Sequence, residues 1–157
     1  MKIYYREKSG GIEILRCFGM GGRVEIPGMI EDKLVVSAAP YAFSSHMDEK
    51  EELKNACLWK VSDGLGFGRE EHVLAGNDVE EIVFPDTLKE IGRYIFYGCG
   101  NLRKLEFSDS LMQIGCGAFT GCHALEKLTV HMRQGKKSGV KEMLGEMWQR
   151  IDVNFLY

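Results

Sequence analysis

Residues 79–101, VEEIVFPDTLKEIGRYIFYGCGN, are repeated 23 positions later by residues 102–124, LRKLEFSDSLMQIGCGAFTGCHA. A third copy opens at Leu125 as LEKLTV. The shift superimposes apolar residues on apolar residues, glycines on glycines and Cys99 on Cys122. Chance does not align three residue classes at one offset. The pattern therefore predicts repeated units, each of which buries an apolar face by stacking on its neighbours.

The first residues of each copy have the pattern of a short strand. Leu102, Leu105 and Phe107 are spaced so that alternate side chains point inward. The same shift relates Phe96 to Phe119, which we expect to stack along the core on the side far from these strands. A period of this length is typical of leucine-rich repeats. We therefore predict an α/β solenoid of the leucine-rich-repeat class, with short parallel strands.

Glycine and cysteine recur at equivalent positions of the two copies. Gly92 and Gly115 each follow an inward isoleucine, and we expect both to adopt backbone angles that other residues avoid. Stacking would place Cys99 and Cys122 on adjacent units. We interpret them as a ladder of buried thiols, because free cysteine behaves as a small hydrophobe. A disulfide between them stays open as an alternative.

The N-terminal part of the chain departs from the regular repeat. Residues 1–23 predict a hairpin cap over the first unit, since Ser9-Gly10-Gly11 separates two apolar segments. Residues 24–44 form a diverged repeat, in which Ile26-Pro27 parallels Phe84-Pro85 and Tyr41-Ala42-Phe43 parallels Tyr94-Ile95-Phe96. Five extra residues predict a widened turn between Met29 and Leu34.

An insert, Ser45–Asp78, then loses the repeat pattern. Leu53, Ala56, Cys57 and Trp59 have helix-like spacing, which predicts a helix here. A glycine-rich loop follows at residues 63–68, DGLGFG. The role of this insert stays open.

The C-terminal part predicts a helix followed by a strand. Ser138 is a candidate N-cap, and apolar residues at 140, 143, 144, 147, 148 and 151 lie on one helical face. Ile151, Val153, Phe155 and Tyr157 then alternate with other residues as a final strand would.

These elements describe a single domain over residues 1–157, which is long enough to bury its own core. Its parts are the N-terminal cap (1–23), diverged repeats with the insert (24–78), regular repeats (79–130) and the C-terminal helix and strand (131–157).

Composition limits the partners and the compartment. The net charge of −3 predicts no nucleic-acid partner, and the absence of a long apolar run predicts no membrane association. Five scattered cysteines and no apolar leader predict a cytoplasmic protein. A cell-surface or secreted location would apply if the chain is a trimmed part of an exported protein.

The units that end in Phe96-Tyr97-Gly98-Cys99 and Phe119-Thr120-Gly121-Cys122 resemble the bacterial leucine-rich repeats of the BspA type, whose consensus ends in phenylalanine-x-glycine-cysteine. The resemblance covers about half of the chain, plus the diverged copy. It implies a solenoid that binds other proteins or host surfaces, and it transfers no catalytic residue.

Catalytic, cofactor and metal sites are not predicted. The four histidines do not stand at metal-ligand spacing. The glycine-rich loop lacks the third glycine of a dinucleotide fingerprint and the lysine of a P-loop. We therefore expect a protein that is not an enzyme and has no cofactor.

The remaining functional candidate is the outward face of the parallel strands, which is commonly the binding face of a solenoid. The candidate binding residues are Glu81, Val83, Lys104, Glu106, Ser108, Lys127, Thr129 and His131. Their charges alternate in sign and include no aromatic cluster. The leading hypothesis is a protein-interaction module with an unidentified protein partner. The alternatives are a homo-oligomer joined through Ile151–Tyr157, a cell-surface adhesin fragment, and a ligand site in the insert.

Overall fold

The computed structural model describes residues 1–61 and 71–157, in two β-sheets with three short helices. The glycine-rich loop at residues 63–68 lies wholly outside the described residues. No helix in residues 1–61 and 71–157 is long and apolar enough to cross a membrane.

The strands are β1 (Lys2–Lys8), β2 (Gly11–Gly19), β3 (Gly22–Glu25), β4 (Met29–Ile30), β5 (Lys33–Ala38), β6 (Cys57–Lys60), β7 (His72–Val73), β8 (Val79–Val83), β9 (Glu90–Ile91), β10 (Lys104–Ser108), β11 (Gln113–Ile114), β12 (Lys127–His131) and β13 (Asp152–Leu156). The α-helices are α1 (Glu49–Glu52), α2 (Lys137–Leu144) and α3 (Met147–Arg150), and a 3-10 turn covers Gly76–Asp78.

The first sheet has five parallel strands in the order β13-β12-β10-β8-β3. Leu105 pairs with Ile82 on one side and with Leu128 on the other, so neighbouring partners are 23 residues apart. The predicted parallel strands are therefore confirmed, and the sequence period is the register of β8, β10 and β12.

The second sheet has the order β11-β9-β5-β2-β1-β6, with β4 and β7 paired at its sides. Strands β11, β9, β5 and β2 run parallel, and β1 joins β2 as an antiparallel hairpin. We call one strand of the first sheet and the chain that follows it a rung. Rung 1 covers residues 22–44, rung 2 covers 79–101 and rung 3 covers 102–124.

Phenylalanine side chains stack from rung to rung in the interior. Ring centroids lie 6.1 Å apart between Phe43 and Phe96, and 5.9 Å apart between Phe96 and Phe119. Phe43 and Phe96 are fully buried, whereas Phe119 is only partly buried. The predicted column is confirmed, and Phe119 is its last ring.

The two equivalent cysteines tie adjacent rungs together as free thiols. The Cys99 thiol donates to the carbonyl oxygen of Phe43 at 3.2 Å, and the Cys122 thiol donates to that of Phe96 at 3.3 Å. Burial raises the pKa of Cys99 to about 11 and that of Cys122 to about 12. Both groups are therefore protonated donors at neutral pH.

The unusual backbone angles predicted for Gly92 and Gly115 are wrong, because neither residue has a positive φ. A Cβ on Gly92 would lie 2.6 Å from the carbonyl carbon of Ala39, and one on Gly115 would lie 2.6 Å from the Cα of Arg93. These glycines are required because the backbones of successive rungs approach too closely for a side chain.

The insert and the widened turn of rung 1 both form strands that pair with neighbouring segments. The helix predicted across Leu53–Trp59 is wrong: α1 ends at Glu52, and β6 pairs antiparallel with β1, aligning Trp59 with Ile3. The extra residues of rung 1 form the small β4–β5 hairpin, in which Glu31 and Asp32 have positive φ.

The C-terminal helix is interrupted. Gly145 has a φ of 54° and separates α2 from α3, so the predicted continuous helix is wrong. Ser138 lies inside α2 and is not its N-cap, since Lys136 occupies that position. The apolar face is still used, because Val140 and Leu144 are buried.

Asp109 anchors the loop that leads into α2. Its carboxylate is buried and accepts hydrogen bonds from the backbone N–H groups of Arg133, Gln134 and Lys136 at 2.7–2.9 Å. Burial alone would raise the pKa of Asp109, but these backbone donors outweigh it and hold the pKa below its usual range.

Replacing either close-approach glycine should destabilise the stack. We expect Gly92→Ala or Gly115→Ala to lower the free energy of unfolding by about 3 kcal/mol, because neighbouring backbone must move. Gly139→Ala, inside α2 and with open space for a Cβ, should raise it by about 0.5 kcal/mol. Urea denaturation measures both, and equal effects at the three positions would contradict the close approach.

Asp109→Asn should lower the free energy of unfolding by about 1–3 kcal/mol at neutral pH, since the charged acceptor is lost. The folded-state pKa is depressed, so this contribution is full above the unfolded pKa of about 3.9 and is lost as pH falls below it. Parallel urea titrations at several pH values should show the two proteins converging in acid. A difference that does not change with pH would refute the role of the charge.

Candidate protein-interaction face

The outward surface of the first sheet, which we call the strand face, is organised by the strand register. One row across the five strands reads Arg23, Glu81, Lys104, Lys127 and Asp152. Because the strands are parallel and in register, each rung contributes one residue to this row. The resulting order of charges is plus, minus, plus, plus, minus.

Ion pairs join the first three members of this row. Glu81 Oε2 lies 3.0 Å from Arg23 Nη1, and Glu81 Oε1 lies 3.6 Å from Lys104 Nζ. The hydrogen bond from Arg23 lowers the pKa of Glu81. Lys127 has no ion-pair partner within residues 1–61 and 71–157. The positive charge of the row is therefore least compensated at Lys127.

A second row lies two residues further along each strand. It reads Glu25, Val83, Glu106, Thr129 and Asn154. Glu106 Oε1 lies 2.5 Å from the Nε2 atom of His131 on the neighbouring strand. This contact joins the side chains of β10 and β12.

Ser108 does not belong to the strand face, so that expectation is wrong. Its side chain is buried, its hydroxyl donates to the carbonyl oxygen of Asp86, and it accepts from the N–H of Ser110. The chain turns directly after β10, and Ser108 stabilises this turn.

The strand face encloses a shallow depression of about 200 Å³. Of the predicted residues, Glu81, Val83, Lys104, Glu106, Lys127 and Thr129 line it, whereas Ser108 and His131 do not. Arg23 also lines it and was missed. The alignment of Ile26-Pro27 with Phe84-Pro85 already contained the signal, because it places Arg23 opposite Glu81.

The depression presents guanidinium, ammonium and carboxylate groups on one face of a β-sheet. Elsewhere, no group of three or more His, Cys, Asp or Glu side chains in the described residues is placed to hold a metal ion.

Parallel strands in 23-residue register, with few helices, define a leucine-rich-repeat fold. Residues 70–139 match the family model "BspA type Leucine rich repeat region (6 copies)". This part of the chain therefore consists of BspA-type leucine-rich repeats, as the phenylalanine-x-glycine-cysteine endings predicted.

Two solved bacterial structures have a similar fold. The T. pallidum leucine rich repeat protein is 22% identical, with a TM-score of 0.57 over 80% of this chain and 49% of that one. A leucine rich cell surface protein from Faecalibacterium prausnitzii A2-165 is 18% identical, with a TM-score of 0.53 over 82% of this chain and 31% of that one. This chain thus spans half or less of either protein. No curated protein matches it.

Proposed function

We propose that this chain is a non-catalytic protein-interaction module whose partner docks on the strand face. The observation that carries the proposal is the depression lined by residues from four successive strands, β3, β8, β10 and β12. Repeat proteins generally use such continuous sheet surfaces to bind other proteins.

The charges of the strand face indicate the chemistry of the partner. Lys127 lies beside Lys104 in the register, and only Lys104 has a carboxylate partner within the described strands. An acidic group on the partner would find its counter-charge here. Charge complementarity of this kind contributes mainly to specificity and to the rate of association.

Additional elements lie at both ends of the stack, which supports a solenoid whose ends are partly covered. The β1–β2 hairpin lies beyond β5 in the second sheet, which is the position of a cap. At the other end, α2 and α3 pack on the last rungs, with Val140 and Leu144 buried. The strand face would then be the main exposed surface that is shared by several rungs.

Location at the cell surface is consistent with the comparisons, since the F. prausnitzii structure is described as that of a cell surface protein. The cytoplasmic location expected from the sequence has no such support. Either location is compatible with a protein partner.

Self-association through β13 is a second candidate function. This strand is at the edge of the first sheet, and Leu156 and Tyr157 are exposed there. An exposed edge strand can pair with a strand of another chain.

Charge reversal tests the strand face. We expect Lys104→Glu combined with Lys127→Glu to reduce partner capture from native lysate at least about tenfold, because like charges would now oppose an acidic partner. The midpoint of thermal unfolding should change by only a few degrees, since exposed ion pairs contribute little to stability. Quantitative mass spectrometry of captured proteins measures the effect.

Lys54→Glu combined with Lys60→Glu is the matched control, because both lysines are exposed and lie away from the strand face. Capture by this variant should equal that of the unmodified protein. Undiminished capture by the Lys104/Lys127 variant would remove the strand face as the docking surface.

Light scattering over a concentration series tests the edge strand. If β13 pairs between copies, the mean mass should rise with concentration, and Leu156→Lys should abolish the rise because edge charges oppose pairing. A chain that stays monomeric at about 1 mM, where weak association becomes measurable, would exclude this candidate.

A further inference from the structure

The turns that follow β5, β9 and β11 are joined by a ladder of backbone hydrogen bonds. All the hydrogen bonds of this ladder run in one direction along the stack. Rung 1 donates to rung 2 from the N–H groups of Tyr41 and Phe43. Rung 2 donates in the same way to rung 3, from Tyr94, Phe96 and Gly98, over 3.1–3.2 Å. At each step the earlier rung supplies N–H groups and the later rung supplies carbonyl oxygens.

The ladder stops at rung 3. The equivalent N–H groups belong to Gly117, Phe119 and Gly121, and none of them donates to an acceptor in residues 1–61 and 71–157. After β12 the chain turns into α2 and α3, so no fourth turn covers these donors. Three N–H groups at alternate positions are therefore left without an acceptor in the described part of the chain.

A groove of about 410 Å³ lies over this open end. The turn of rung 3 and the two C-terminal helices form its walls, and Met143, Met147 and Arg150 contribute from the helices. Phe119 lines it and is partly exposed, unlike the buried Phe43 and Phe96 of the same column. The groove thus offers hydrogen-bond donors beside an uncovered apolar ring.

At the opposite end of the ladder, an arginine side chain donates to backbone carbonyls of rung 1. Arg16 is buried, and its Nη1 atom donates to the carbonyl oxygens of Tyr41, Ala42 and Ser44 at 3.2, 3.1 and 2.6 Å. Glu49 pairs with the Nε atom of the same guanidinium at 3.0 Å. The carbonyls of Ala42 and Ser44, which correspond to those of Ala118 and Thr120 in rung 3, are therefore occupied.

This asymmetry argues against a second copy of the chain in the groove. Head-to-tail stacking would need the carbonyls that Arg16 occupies. Two-fold pairing of the open ends would place N–H donors against N–H donors. The groove instead needs an occupant with acceptors at alternate residues, which an extended peptide provides, because its alternate carbonyls point to one side.

We propose that this groove, which we call the open-end groove, binds an extended peptide segment of a partner protein. Carbonyls of the segment accept from Gly117 and Phe119, which line the groove, and from Gly121, which directly follows Thr120 of its wall. A large apolar side chain of the segment covers the ring of Phe119. Arg150 lies on the rim, paired with the exposed Glu146, and favours an acidic residue in the segment. This site is separate from the strand face.

A synthetic peptide with the sequence of residues 91–98, IGRYIFYG, is the probe, because rung 1 already binds the Arg93 and Ile95 carbonyls of this segment. In ¹H–¹⁵N correlation spectra of the full chain, we expect saturable shifts at Gly117, Phe119 and Gly121, with slower amide exchange. The matched peptide IGRYISYG should bind at least about tenfold more weakly, since it lacks the apolar anchor.

Two variants test the walls of the groove. Thr120→Trp fills it from an exposed position, and Met147→Lys places a charge in it, so each should abolish the shifts. Far-ultraviolet circular dichroism checks that each variant is folded. The Lys104→Glu/Lys127→Glu variant should bind the peptide normally, which separates this site from the strand face.

Absence of shifts at these three amides at about 1 mM peptide, where even a millimolar Kd gives half-saturation, would overturn the proposal. Shifts confined to β8, β10 and β12 would also overturn it. So would concentration-dependent shifts at the same amides without peptide, because they would show a second copy in the groove.

Discussion

The close approach of successive backbones is the constraint on which this structure depends. At Gly92 and Gly115 the rungs lie so near one another that no Cβ fits between them. That separation brings the N–H groups of one rung within hydrogen-bonding distance of the carbonyls of the next. It also lets buried thiols reach the preceding backbone and lets phenylalanine rings stack. Glycine, cysteine and phenylalanine recur together because each makes a contact that depends on the same short distance between successive rungs.

A stack of this kind has polar backbone groups at both ends, and the two ends differ. At the N-terminal end a single buried guanidinium donates to the carbonyls of Ala42 and Ser44, with Glu49 as its counter-charge. At the other end, helices replace the fourth turn, and they cover apolar surface without supplying acceptors. The chain thus has one surface made by repetition, the strand face, and one made by the interruption of repetition, the open-end groove.

The strand face combines rigidity with simple chemistry. Register alone sets which side chains are neighbours, so Glu81 lies between Arg23 and Lys104, and Lys127 keeps its charge less compensated. Specificity on such a surface would come from the order of charges along a row. Substitution within one rung changes one position of that order and leaves the sheet intact.

The sequence by itself determined the parallel sheet, the 23-residue register of β8, β10 and β12, the core columns and most residues of the depression, because a repeating unit has to repeat its contacts. Only the tertiary structure decided the features that depend on non-repeating neighbours. Cys57–Lys60 form a strand because they pair with the edge of β1. Ser108 is buried in the turn after β10, and Arg16 donates to carbonyl groups that are distant in sequence. These outcomes depend on contacts between segments distant in sequence, and no local pattern of apolar spacing or charge encodes such contacts.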